Sequence, residues 1–135
     1  MESIGEIVAS DKIDFRDTGI LNLAYLGDSV WELLVRKYFV EKNMDTNSLS
    51  TRVREFVNAK KQSQIYNEIF DTLEEEAQNV SKRARNAKIK SFPKSCSYME
   101  YRNATAFEVL IAYYFLKKKY DKIDGILKIY IEGVK

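Results

Sequence analysis

The chain contains no histidine among its 135 residues and a single cysteine, Cys96. Without histidine there is no Ser-His or Cys-His nucleophilic pair, no histidine general base and no histidine-ligated zinc. One cysteine excludes an internal disulfide and any thiolate-rich zinc site, and it fits a reducing compartment. Proline occurs once, at Pro93, and no glycine lies between Gly27 and Gly125. So few chain breakers favour helices over tightly turned sheets. No apolar run reaches the ~18 residues that a membrane span requires. The opening segment MESIGEIVASDKIDF is acidic and broken by polar residues, unlike a cleavable signal. A cytoplasmic protein with no membrane partner is expected. The formal net charge of +2 is nearly balanced, so any affinity for a polyanion must come from local clustering.

What remains for polar chemistry is Asp, Glu, Lys, Tyr, or a hard cation held by oxygen ligands. The length suits one domain spanning residues 1–135, and an apolar fraction of 45% supplies an ordinary core. The apolar spacing predicts a first helix from about Thr18 to Val40, apolar on most faces and hence central and buried on several sides. The polar linker EKNMDTNS follows. Leu49, Val53, Phe56 and Val57 then recur at helical spacing, as do Ile65, Tyr66, Ile69 and Phe70, in one bent helix or two. Thr72 and Glu75 form a capping-box pattern for a helix running to about Lys88, with Glu74 to Glu76 at the positive end of its dipole. A loop around SFPKS follows, with Pro93 as the stop. Ser97 and Glu100 form a second capping-box pattern, opening a strongly apolar helix to about Lys119. After KKKYDKIDG a short helix carries Ile126, Leu127, Ile129, Tyr130 and Ile131. No stretch alternates convincingly enough for a strand, so the fold class is all-α.

Two of the most apolar stretches carry carboxylates. ILNLAYLGDSVWELLVRKYFV holds Asp28 and Glu32, and ATAFEVLIAYYFL holds Glu108. An unpaired carboxylate in an apolar setting is costly, so it is neutralised, salt-bridged or bound to a metal ion. Residues three and four apart share a helix face. Asp28 therefore sits with Leu21, Ala24, Tyr25 and Glu32, and Glu108 with Tyr101, Ala104, Thr105, Ile111 and Ala112. Ala24 and Gly27 thin the first face, and Ala104 and Ala112 thin the second. Two thin faces allow close approach, with Asp28 and Glu108 meeting across the contact. Carboxylates that close either share a proton or bind a divalent cation, and oxygen-only ligands favour magnesium, with manganese as the alternative. The competing reading pairs each acid with a base: Glu32 with Arg36, and Glu108 with Arg102 or another arginine. Glu32 is the strongest candidate for a purely structural acid.

From Ala77 to Met99 there is no Asp or Glu, while Lys82, Arg83, Arg85, Lys88, Lys90 and Lys94 are all basic. Cations at a helix C-terminus complement its dipole, which accounts for part of the run. The continuation past Ile89 into the loop, with Asn86 interposed, fits contacts to phosphates. Together with a histidine-free acidic pair, this points to phosphodiester chemistry assisted by a divalent ion.

LAYLGDSVWE, at Leu23 to Glu32, resembles the signature helix of the ribonuclease III endonuclease domain. TAFEVLIAYYFL, at Thr105 to Leu116, is similar to that family's second acidic motif. Combined with RARNAK at Arg83 to Lys88 and YRNATAFE at Tyr101 to Glu108, the pattern resembles the Mini-ribonuclease III branch, which lacks a double-stranded-RNA-binding domain. The resemblance implies an all-helical homodimer that cuts double-stranded RNA with magnesium. In the branch, the substrate is the bacterial precursor of large-subunit (23S) ribosomal RNA, with room for a ribosomal protein as a further partner. By position, Asp28 and Glu108 become the catalytic and metal-binding acids. Lys82, Arg83, Arg85, Asn86, Lys88, Tyr101 and Arg102 become candidate RNA contacts. Full-length ribonuclease III carries two further acids, where this chain has Ala24 and Thr105, a departure that weakens a four-carboxylate, two-metal site. A non-catalytic RNA-binding ribosome-assembly factor on the same fold is therefore the rival reading. A third is a helical interaction module whose acids only form salt bridges.

Overall fold

The computed structural model describes residues 3–133, and every regular element among them is helical. In chain order these are α1 (Ile4–Ala9), α2 (Ile20–Glu41), α3 (Thr46–Arg54), α4 (Ala59–Ile69), α5 (Glu75–Arg85), α6 (Tyr98–Leu116) and α7 (Tyr120–Tyr130). A short 3₁₀ turn, Phe70–Thr72, joins α4 to α5. The hydrophobic residues of 49–70 thus fall on two helices and the turns after them: Leu49 and Val53 on α3, Phe56 and Val57 just beyond it, Ile65, Tyr66 and Ile69 on α4, and Phe70 in the 3₁₀ turn. Asn58 starts the second by accepting from the Lys61 amide.

The central element is α6. From Asn103 to Tyr114 every side chain is buried except that of Glu108, which is half-buried. Helices α2, α4 and α5 pack around it, with α7 against its C-terminal part and α3 against α2. The expectation that the first helix is the buried centre is therefore corrected. In α2 the buried residues Leu23, Ala24, Gly27, Trp31, Val35 and Phe39 form one stripe facing α6. Leu21, Tyr25, Leu33 and Val40 stay exposed. Apolar composition all round a helix does not by itself mean burial all round; only a neighbour on each side does. Trp31 anchors the α2–α6 contact, edge-on to Phe107 at 4.9 Å, and its indole N–H donates to the Phe56 carbonyl at 2.8 Å.

The capping signals divide. At Ser97 the reciprocal box forms: its hydroxyl accepts from the Glu100 amide at 3.1 Å, and Glu100 accepts from the Ser97 amide at 2.8 Å. The box expected at Thr72 does not form. The Thr72 hydroxyl instead donates back to the Ile69 carbonyl at 2.6 Å, and α5 begins at Glu75 after Glu74. Hydroxyl side chains compete for nearby carbonyls in this way when the preceding helix tightens into a 3₁₀ turn. Helix α5 ends at Arg85 rather than Lys88, so the end of the RARNAK segment lies in the loop. Helix α6 ends at Leu116, with Lys118 at φ 59°, a left-handed conformation just past the helix end. The last helix begins at Tyr120, earlier than its sequence pattern predicts, and α1 is an element that pattern missed. No described helix is long and apolar enough to cross a membrane.

Candidate active site

Gly27 sets the geometry. A Cβ built at this position would lie 1.7 Å from the Glu108 carbonyl oxygen and 2.6 Å from its carbonyl carbon. Those atoms are backbone and cannot swing aside. Glycine costs about 1 kcal/mol relative to alanine inside a helix, and here it lets α2 lie directly on the α6 backbone. The next residue along α2 is Asp28, so the contact that seats Gly27 on Glu108 also brings the two carboxyl groups together.

They lie close enough for Asp28 to act on the ionisation of Glu108. Asp28 is open to solvent and Glu108 is half-buried. Burial, then the Asp28 charge, then the hydrogen bond to Asp28 raise the Glu108 carboxyl from its ordinary 4.5 to about 9. At neutral pH Glu108 therefore keeps its proton. Among the described residues no arginine clasps either acid. Glu32 is the exception expected of the three: it pairs with Arg36 one turn on at 3.0 Å, on the exposed surface. Arg102 turns away from Glu108, with its Nε donating to the Arg85 carbonyl and its guanidinium 5.3 Å from the centre of the Tyr98 ring.

Small buried residues flank the pair, Ala24 on α2 and Ala104 and Thr105 on α6. The Thr105 hydroxyl is spent on its own helix, donating to the Tyr101 carbonyl at 3.0 Å. Among the described residues no cluster of three or more His, Cys, Asp or Glu could hold a metal. The donor set is thus two carboxylates on an open face. That suits magnesium, which keeps several waters and takes one or two carboxylates plus substrate phosphate oxygens. A protonated acid locked against its partner is also what two like charges adopt until a cation joins them.

The basic run spreads over the end of α5 and the following loop. Lys82 and Arg85 reach over the Phe70 ring at 5.7 and 5.8 Å, and Arg83 Nη2 donates to the Phe15 carbonyl at 3.4 Å. Asn86, Lys88, Lys90 and Lys94 are exposed. Tyr101 is half-buried, its ring 6.4 Å from that of Phe92. It stands two turns before Glu108 on the same face of α6, which places the start of that helix between the acid pair and the loop. The tethers at Phe15 and Phe92 have no counterpart in the sequence motifs; nothing in their local pattern marks them.

This helical fold, with its acid pair at the α2–α6 crossing, corresponds to a known nuclease class. Residues 21–119 match the Ribonuclease III domain, and the chain belongs to that family. It is 52% identical to a Mini-ribonuclease 3-like protein of Ilyobacter polytropus, over 91% of this chain and 98% of that protein. A Mini-ribonuclease 3-like protein of Fusobacterium nucleatum is 45% identical over the same shares, and Mini-ribonuclease 3 of Clostridium tetani is 39% identical over 89% and 81%. A crystal structure of a Fusobacterium nucleatum protein superposes with a TM-score of 0.83 at 46% identity, covering 89% of this chain and 97% of that one. These relatives put the chain in the Mini-ribonuclease III branch.

Proposed function

We propose that this chain is a magnesium-dependent endoribonuclease that cuts double-stranded RNA, acting as a homodimer on the precursor of large-subunit (23S) ribosomal RNA. Endoribonuclease activity of the ribonuclease III type follows from family membership. The metal, the dimer and the ribosomal substrate rest on features of this chain and of its relatives.

The observation that carries the proposal is the Asp28–Glu108 contact across Gly27. Asp28 and Glu108 would hold the ion, with manganese able to replace magnesium. When bound, such an ion polarises a phosphoryl oxygen and makes a water acidic enough for in-line attack. Glu108 would have to give up its proton to serve as a ligand to such an ion. The exposed position of Asp28 leaves the pair open to a double helix lying across the face. Lys82, Arg83, Arg85, Asn86 and Lys88 would then meet phosphates and sugars, which set affinity and register without reading sequence.

Leu21 is 68% and Tyr25 84% exposed, both on the face of α2 that carries Asp28. Covering such apolar groups with a second copy would set two acid sites about a two-fold axis, matching two antiparallel RNA strands. The ribosomal substrate is proposed from the family resemblance that LAYLGDSVWE, RARNAK and YRNATAFE carry. The rival reading, an RNA-binding assembly factor without catalysis, draws on Ala24 and Thr105 in place of acids. Incubating the protein with precursor ribosomal RNA in magnesium and then in EDTA separates the two. Discrete ends that form only with the metal support the nuclease, whereas intact RNA in a stable complex supports the assembly factor.

A further inference from the structure

The last carbonyls of a helix have no partner within it and need one from elsewhere. At the end of α5 the Arg85 carbonyl takes the Nε–H of Arg102, which comes from the second turn of α6. The guanidinium lies against Tyr98, and the Tyr98 ring in turn packs edge-on against Phe92 in the loop, at 5.5 Å and 61°. Phe92 also lies beside Tyr101. The Ser97–Glu100 box closes the loop where α6 begins. The loop between α5 and α6 is thus fastened to the start of α6 at its entry, its middle and its exit. Its exposed lysines, Lys88, Lys90 and Lys94, are carried on that frame. Glu108 stands six residues beyond Arg102, about 9 Å along the axis of the same straight helix.

We propose that Arg102 is a positioning residue that, with Phe92, fixes the distance between the cationic loop and the Asp28–Glu108 pair, and so decides which phosphodiester is cut. The inference rests on the nuclease reading above. Arg102 acts through the Arg85 backbone and the Tyr98 ring, not by touching RNA. The sequence resemblance made it an RNA contact; its Nε and its stacking face are committed within the protein. A loop free to shift by an ångström would misplace the RNA at the acids, a displacement that can cost about 100-fold in rate.

Two substitutions separate position from charge. In Arg102→Gln the amide nitrogen sits as many bonds from the backbone as Arg Nε, so the donor stays and the charge goes. In Arg102→Met the length stays and both donor and charge go. Amide exchange of residues 86–92 in the free protein is expected to be about tenfold faster in Arg102→Met and within about threefold of wild type in Arg102→Gln. On duplex RNA, Arg102→Met spreads cutting to neighbouring bonds and lowers kcat about 10–100-fold with little change in KM, while Arg102→Gln keeps the wild-type ends. Phe92→Ala, which frees only the middle of the loop, is expected to spread the cuts as well and covers the case in which Arg102→Met fails to fold. The proposal is overturned if Gln and Met variants weaken RNA binding equally and each lowers the salt slope by about one, with loop exchange unchanged. Exchange is read without RNA, so a wild type that never cuts counts against the nuclease reading while the exchange result still decides the fastening.

Discussion

The α2–α6 crossing and the α5–α6 loop hold their functional groups by different means. At the crossing, backbone lies on backbone: Gly27 against the Glu108 carbonyl, with Trp31 and Phe107 packed alongside. At the loop, side chains reach back to fasten the chain, Arg102 to the Arg85 carbonyl and Phe92 to Tyr98 and Tyr101. The first arrangement has almost no freedom and presents two groups whose chemistry depends on their separation. The second presents exposed cations, whose proposed task of meeting a phosphate lattice would tolerate exchange of one charge for another. Under the proposed function, rigidity is concentrated where bonds would break, and adaptable charge where RNA would be gripped.

The crossing should break most completely at its glycine. Gly27→Ala puts a methyl group inside the Glu108 backbone, so the helices must part. A loss of about 3 kcal/mol or more is expected from urea unfolding, together with loss of cleavage. A stable, active Gly27→Ala protein would mean that the helices slide past each other easily.

A pH series sharpens the comparison further, since the crossing holds a carboxyl perturbed by burial and by its acidic partner. Glu108 is raised from 4.5 to about 9, so between those values the folded state keeps a proton that the unfolded chain has lost. Stability is therefore favoured at the acid end and falls as pH rises from about 4.5 towards 9, by at most about 1.4 kcal/mol per pH unit from this one group. Glu108→Gln should flatten that fall. Magnesium should shrink it in the wild type by stabilising the ionised pair. Urea midpoints measured across this range, with and without the metal, check both outcomes; an equal fall in wild type and Glu108→Gln would place its cause elsewhere.

The smallest effects are expected in the loop. Replacing Arg83 and Lys88 by glutamine should lower the salt slope of RNA binding by about one for each phosphate no longer neutralised, with kcat changed less than affinity. A drop in kcat with an unaltered slope would move these residues from gripping RNA to shaping the site.

The acid pair was legible in the sequence because both carboxylates interrupt apolar helices next to small residues, a conflict that packing resolves in few ways. Gly27 could be read as thinning a face, but not as touching the carbonyl of Glu108 itself. The all-α class followed from the scarcity of breakers and the helical periods, and the Ser97–Glu100 box marked the start of α6 to the residue. Thr72 carried the same local signal and misled, because a 3₁₀ turn claimed its hydroxyl first. The identity of the central helix was hidden for a different reason. Helices α2 and α6 are both apolar on most faces, and only the number of neighbours tells them apart. The loop fastenings were also out of reach, since Arg102 meets Arg85 across 17 positions of sequence and no periodic pattern connects them.

The central claim is that Asp28 and Glu108 act together on a phosphodiester. The measurement that meets it most directly is single-turnover cleavage of duplex RNA in magnesium by the wild type and by Asp28→Asn, with RNA affinity measured alongside. Cleavage is expected to slow on the order of 10³–10⁴-fold in a folded variant whose affinity stays within a few-fold of wild type. Cutting at close to the wild-type rate, or a decline in cutting that only tracks weaker binding, would contradict it.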